Sequence, residues 1–426
     1  MTYRSHTLRF FAWSSLALAP LLGRAEDWTR FRGPNGSGVI DAKNLPAAFE
    51  GVNTAWKIEI GRGWSSPVVW KNKLFVTAET GAGTRAVECL NAADGKVIWS
   101  YEVPYHEHKQ HKFNAFASST PYVDADRIYV NWTNGDAIEA LALTHEGKLV
   151  WRKENLAPYV HEHGSGVSAV VADGIMLIRS ESELPEGEGN PTSCLLGLDA
   201  ATGAEKWKLP LPNTKNPYST PLVRETPQGK EFILADTTSG FFAVGVKTGK
   251  MTWQHNPGYT QRSVGSFAFS NDMLFGTMGS GGGGKESAVL KLGKDKPEEA
   301  YRLVMGIPYV PTPLVIDDLM YLLGDGGILK CVKLATGEEI YNERVTGTEG
   351  RSTKYFSSPV AADGKIYCSS QTGDVVVVKA GPKFEILAAN KLDSPINATP
   401  AISDGRVFVR TEKSLWAFGG KTSPVP

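Results

Sequence analysis

Apolar residues are spread along this chain in short runs that recur with a long period. Eight times a strand-length apolar run opens a block: SSPVVWKNKLFV at Pro67, STPYVDADRIYV at Pro121, SAVVADGIMLI at Ala169 and STPLV at Pro221, then SFAFSNDMLFG at Phe267, PTPLVIDDLMYLL at Pro313, SSPVAADGKIYC at Pro359 and ATPAISDGRVFV at Pro400. Successive openings are 41 to 54 residues apart. A period of this size, built from short strands, predicts an all-β, eight-bladed β-propeller with four-stranded blades.

Each block repeats the same parts. Asp173-Gly174, Asp363-Gly364 and Asp404-Gly405 join the first two strands, and Asp-Gly suits a two-residue hairpin because both central positions need positive φ. A third strand follows, then a turn and an outer strand closing on an aromatic residue: AADGKVIW at Trp99, THEGKLVW at Trp151, AATGAEKW at Trp207, VKTGKMTW at Trp253 and LATGEEIY at Tyr341. In these five, Gly lies four positions ahead of the aromatic residue. The fifth and seventh blocks are looser, with Tyr301 and Leu387 near the equivalent place.

The eighth block ends at KSLWAFGG, around Trp416, without an outer strand of its own. The missing strand is at the other end of the chain, where NTAWKIEI (Asn53 to Ile60) carries Trp56 with no inner strands before it. Pairing the two predicts a ring closed by an N-terminal outer strand, which hides two sheet edges.

Composition narrows the function classes. At 426 residues the length allows two or three domains, but the unbroken repeat predicts one propeller over 53–420. A signal peptide over 1–25, an N-terminal arm over 26–52 and a tail over 421–426 complete the division. Lys plus Arg and Asp plus Glu are both 45, so no basic field attracts nucleic acid or an anionic membrane. Arg4 and Arg9 precede an apolar stretch from Phe10 to Leu22, and Gly23-Arg24-Ala25 ends on a small residue. That pattern predicts export to the periplasm or the extracellular space, with no transmembrane segment after cleavage; the expected product is a monomer. The four cysteines form no framework: Cys89, Cys194 and Cys331 fall in third strands and Cys368 in a second, where each reads as a small buried hydrophobe. Cys331–Cys368 is the one pairing between neighbouring blades.

The blocks LDAATGAEKW (Leu198–Trp207), GVKTGKMTW (Gly245–Trp253) and LNAADGKVIW (Leu90–Trp99) resemble the tryptophan-docking repeat of the pyrroloquinoline quinone (PQQ) propeller superfamily. The resemblance covers nearly all of the chain after the signal. It implies that each Trp wedges between neighbouring blades. A narrower resemblance, to secreted bacterial PQQ-like propellers, is carried by Asp27-Trp28-Thr29-Arg30-Phe31-Arg32-Gly33-Pro34-Asn35-Gly36, by His111-Lys112-Phe113-Asn114 running into ASSTP, and by Glu162-His163-Gly164-Ser165-Gly166. Two branches of the superfamily set the alternatives. Quinoprotein alcohol dehydrogenases hold PQQ and calcium over the channel and use adjacent cysteines, and no two cysteines are adjacent here. The outer-membrane β-barrel assembly lipoproteins are non-enzymatic eight-bladed scaffolds of similar size, but this chain lacks their lipidated Cys near the cleavage point. The resemblance therefore implies an exported, non-enzymatic propeller that presents loops to a protein, peptide or glycan partner. The alternatives are a PQQ-dependent dehydrogenase with a non-standard site, or a metal site in the loops.

Candidate chemistry sits in the connections between blades, which share one face with the loops between second and third strands. Five histidines fall in two consecutive connections, YHEHKQHKF (His106, His108, His111) and YVHEHGSG (His161, His163, flanking Glu162). The first connection is also the longest, about 22 residues from Trp99 to Pro121, against 11 to 14 in the short ones. His with carboxylate suits a divalent transition metal, and the RSESELPEGEGN loop adds Glu181, Glu183, Glu186 and Glu188, which would suit calcium. The plain alternative is solvated loop polarity. Arg62, Arg262 and Arg351 each fall in a connection and could meet an anion at the channel mouth. MGSGGGGKES (Met278–Ser287) lacks the spacing of a phosphate loop and reads as a hairpin.

Overall fold

The computed structural model describes residues 27–159, 163–180, 193–212, 215–256, 258–281, 283–293, 296–350 and 354–420. Among them the strands form eight antiparallel four-stranded sheets arranged as the blades of one ring. Blade 1 runs outward through Val68–Trp70, Lys73–Gly81, Thr84–Asn91 and Val97–Pro104. Blades 2 to 7 repeat this order. Blade 8 takes its inner three strands from Ala401–Ser403, Arg406–Arg410 and Ser414–Gly419 and its outermost from Thr54–Glu59. Trp56 lies opposite Ala417 and Glu59 opposite Ser414, so the ends of the chain share one sheet.

Local chemistry accounts for the repeat. Asp173 and Gly174, Asp363 and Gly364, and Asp404 and Gly405 all have positive φ, between 45° and 74°, as tight two-residue turns demand. The inner strands are buried on both faces. Each apolar cluster lies between neighbouring blades, as where Ala140, Ala142 and Trp151 of blade 2 meet Met176, Ile178 and Leu196 of blade 3. The four cysteines are buried in these layers as thiols, and Cys331 and Cys368 share one layer without a disulfide between them.

The outer tryptophans join one blade to the next. Trp56 Nε1 donates to the Ala92 carbonyl (3.0 Å) in the turn of blade 1. Gly95 in that turn has φ 74°, and a Cβ there would lie 2.8 Å from the Trp56 ring. The same docking recurs from Trp99 to His145 O (3.0 Å), Trp151 to Ala200 O (3.0 Å) and Trp207 to Val246 O (2.9 Å). Tyr301, in the looser fifth block, does the same through its hydroxyl to Leu334 O. Each turn glycine thus serves the aromatic residue of the preceding blade, one repeat back from the Trp that follows it in sequence. Trp253 is an exception: its N–H goes to Glu231 of its own blade (3.0 Å).

Residues 27–49 cross the ring on the face of the Asp-Gly hairpins. Val69 N donates to Trp28 O and Val123 N to Thr29 O, both 2.8 Å. Arg30 reaches Pro221 O, Asn35 pairs with Val223, Arg32 donates to Pro313 O (2.8 Å), and Ala361 N donates to Gly38 O (2.7 Å). These partners belong to the innermost strands of blades 1, 2, 4, 6 and 7 or to the residue just ahead of them, so the segment closes the channel from the hairpin side. Phe49 then stacks on Phe418 (centroids 3.9 Å) before the chain enters blade 8.

Candidate functional site

On the opposite, loop-bearing face the channel opens as a blind cup of about 190 Å³. Phe31 is its floor. Trp64, Phe113, Tyr218 and Phe356 form an aromatic collar. Between floor and collar runs a ring of eight hydroxyls, one per blade: Ser66, Thr120, Ser168, Thr220, Ser266, Thr312, Ser358 and Thr399.

The ring is closed by hydrogen bonds. The backbone N–H of each member donates to the hydroxyl of the next, from Ser66 to Thr120 (2.9 Å), Thr120 to Ser168 (3.2 Å), Ser168 to Thr220 (3.4 Å) and Thr220 to Ser266 (2.9 Å). It continues from Ser266 to Thr312 (2.8 Å), Thr312 to Ser358 (3.0 Å), Ser358 to Thr399 (3.1 Å) and Thr399 back to Ser66 (3.0 Å). Six of the eight precede proline, which restricts them to extended backbone and leaves the next residue without an N–H. Sequence reasoning missed this ring. Its signal was a Ser or Thr at one fixed position of every block, ahead of the apolar run that drew the attention.

The His-rich connections are partly brought together. His111 N donates to His163 O (3.1 Å) and their rings meet edge to face with centroids 5.5 Å apart. Asn114 staples the two segments, donating to His163 O (2.8 Å) while its Oδ1 accepts from Ser118 (2.6 Å). Gly164 sits against it with φ 77°, and a Cβ there would meet Asn114 Nδ2 at 2.5 Å. His106 and His108 lie elsewhere, in a cleft of about 530 Å³ with Glu107, Asp136, Glu154 and Tyr159. Burial lowers the affinity of His108 for a proton, and burial with nearby His163 and Lys112 does the same for His111. His161, Glu162 and the Glu181–Glu188 loop lie outside the described residues. Among the described residues no three His, Cys, Asp or Glu side chains converge as a metal would need.

Arg62 and Arg262 occupy equivalent connections, bridging by backbone to Glu79 and Gly279. The Arg62 side chain reaches Asn114 O (3.3 Å). Neither is among the residues that line the cup. Arg351 lies outside the described residues. Met278–Ser287 spans a hairpin between Met273–Ser280 and Gly283–Lys291.

Among the described residues no helix is long and apolar enough to cross a membrane. A family model described as outer membrane protein assembly factor BamB matches residues 50–225. No curated protein matches the chain in sequence. Solved structures match the fold at low identity. BamB from Moraxella catarrhalis is 12% identical with a TM-score of 0.61, covering 87% of this chain and 99% of its own. A quinohemoprotein alcohol dehydrogenase from Comamonas testosteroni is 12% identical with a TM-score of 0.70, covering 94% and 82%. A europium-containing methanol dehydrogenase is 12% identical with a TM-score of 0.65, covering 92% and 98%.

PQQ, the cofactor this fold family implies, is a planar quinone with three carboxylates. No lining side chain of the cup is charged among the described residues. The cup thus has no cation in contact with those carboxylates and no carboxylate to hold calcium beside them. The residues present do not fit the quinone. The eight-bladed ring and the docked tryptophans, with the family match over residues 50–225, make this chain a PQQ-like β-propeller in fold.

Proposed function

We propose that this protein is an exported binding propeller that uses the collared cup of its loop face to hold a protein, peptide or glycan partner. The observation that carries this reading is the cup itself. It is blind, floored by the chain's own Phe31 and ringed by hydroxyls that already serve as acceptors in the ring. An aromatic collar over a closed floor suits an inserted side chain or sugar ring: aromatic faces supply large contact area at small conformational cost. The likeness to BamB supports a scaffold role.

The test is selection of binders from a peptide display library and a glycan array on the mature chain, repeated with Trp64→Ala and Phe356→Ala. The reading expects ligands whose binding falls at least about tenfold in both variants, as for truncated aromatic anchors. Binders unaffected by the two changes would overturn it. So would PQQ- and calcium-dependent reduction of an acceptor dye.

A further inference from the structure

The hydroxyl ring is left with unused protons. Each of the eight oxygens accepts a backbone N–H from its neighbour, and none donates to another group among the described residues. All eight side chains are buried, from 1% exposed at Ser66 to 8% at Ser266, and all line the cup. A hydroxyl whose oxygen is committed as an acceptor still has a proton to place. Here those protons are left to the cup, with the unpartnered Nε1–H of Trp64 also buried in its lining.

On either side of Phe31 in the chain, on the hairpin side of the cup, are two cations. Arg30 (4% exposed) donates to Pro221 O and Arg32 (fully buried) to Pro313 O, the residues immediately after ring members Thr220 and Thr312. Among the described residues neither guanidinium is within salt-bridge distance of a carboxylate, and Arg30 Nε with Arg32 Nε and Nη1 have no acceptor. Burial lowers their pKa to about 10 and about 9, so both stay charged at neutral pH. Arg30 also faces the hairpin-side cleft that Asp124, Asp173, Glu225 and Asp272 line, whereas Arg32 is fully buried with no acid beside it in the cup lining, a costly placement for a charge whose field favours an anion in the channel. Donors and field agree, and no lining side chain carries negative charge.

We propose that the cup binds a single carboxylate group at the channel axis, held by the ring hydroxyls with Arg30 and Arg32 on their hairpin side, and with an apolar or aromatic body against Trp64, Tyr218, Phe113 and Phe356. This names the chemical class of the partner group and rests on the cup being the binding site. One carboxylate, unlike the three of PQQ, can be met by axial O–H donors alone. The carboxylate belongs either to a free aromatic acid or to a peptide C-terminus.

Calorimetric titration of the mature chain, in chloride-free buffer, distinguishes the sources. The probes are benzoate, benzyl alcohol, and a peptide ending in Phe with a free or an amidated C-terminus. Benzoate should bind at least about tenfold more tightly than benzyl alcohol, the scale of a hydrogen-bonded charge. If the free-acid peptide also exceeds its amide by that factor, the carboxylate is a chain end; if only benzoate discriminates, it is a free acid. Thr220→Val with Thr312→Val should remove the discrimination. Equal binding of benzoate and benzyl alcohol to the unaltered protein would overturn the proposal whether or not the double variant folds, as would absence of any carboxylate binding. Tight, cup-dependent binding of amidated peptides would overturn the carboxylate assignment and leave the binding-propeller reading standing.

Discussion

The backbone N–H of Thr399 in the last blade donates to the hydroxyl of Ser66 in the first, 3.0 Å away across 333 residues of sequence. This bond completes the inner hydroxyl ring, as the pairing of Thr54–Glu59 with Ser414–Gly419 completes the outer sheet. The propeller is therefore closed twice, once near its axis and once near its rim.

Closure at the axis predicts the cost of opening it. Ser66→Ala removes the acceptor and leaves the buried Thr399 N–H unpaired, at about 1–3 kcal/mol. Ser66→Thr keeps the acceptor, as the threonines at other ring positions do, and should stay near wild type. Urea unfolding of the two variants checks this; equal stability would contradict it.

Closure at the rim rests on Trp56, which is buried, bonds Ala92 O and covers Gly95. Trp56→Ala should cost about 3–5 kcal/mol, as for other large buried aromatics. Trp56→Phe should recover much of that and lose only the Nε1 bond. Proteolysis of the separated N-terminal strand would report the opening directly.

Most of this architecture was legible in sequence. The blocks and the Asp-Gly turns are local patterns, and the displaced strand at Trp56 shows as an outer strand with no inner strands before it. What was not legible is contact between repeats. Gly95 stands four residues before Trp99 in the chain but packs against Trp56. Ser66 reads as a loop residue until its partner Thr399 is brought beside it. Arg30 and Arg32 looked like part of a family signature and turn out to be buried cations bonded to Pro221 O and Pro313 O, next to ring members Thr220 and Thr312, whereas Arg62 is a loop residue that bonds Asn114 O. The His-rich connections were visible as irregularities, but only folding separates His106 and His108 from His111 and His163.

Acid should loosen the rim. Burial pushes the Asp393 carboxyl up, but bonds from Ser414, Lys57, Thr411 and Ser394 together outweigh it and hold it at about 2, below its ordinary 3.8. Lys57 lies on the closing strand, 2.9 Å from Asp393. A depressed carboxylate contributes stability that is present above its unfolded pKa and lost as pH falls through the folded one, here between about 4 and 2. The contribution is up to about 2 kcal/mol. Asp393→Asn should flatten the stability profile in that window, read by thermal melts from pH 5 to 2.

A buried charge network joins the strands of blade 1 to those of blade 2. Arg85 is stacked 4.4 Å over Trp132 and paired with Glu139 at 2.7 Å, while Arg152 reaches the other Glu139 oxygen at 2.8 Å. Glu139→Gln leaves a fully buried guanidinium without a counter-charge and should destabilise by about 3–5 kcal/mol. Calorimetric unfolding would show it, and a loss below about 1 kcal/mol would mean that Arg85 finds another partner.

Hydrogen exchange of the mature chain, with and without the tightest peptide or glycan selected on it, tests most directly whether the collared cup is where this propeller binds. Binding at the cup predicts protection confined to the segments around Trp64, Phe113 to Thr120, Tyr218 and Phe356 to Ser358. Protection centred on the hairpin face or the outer strands, with the cup unchanged, would contradict it.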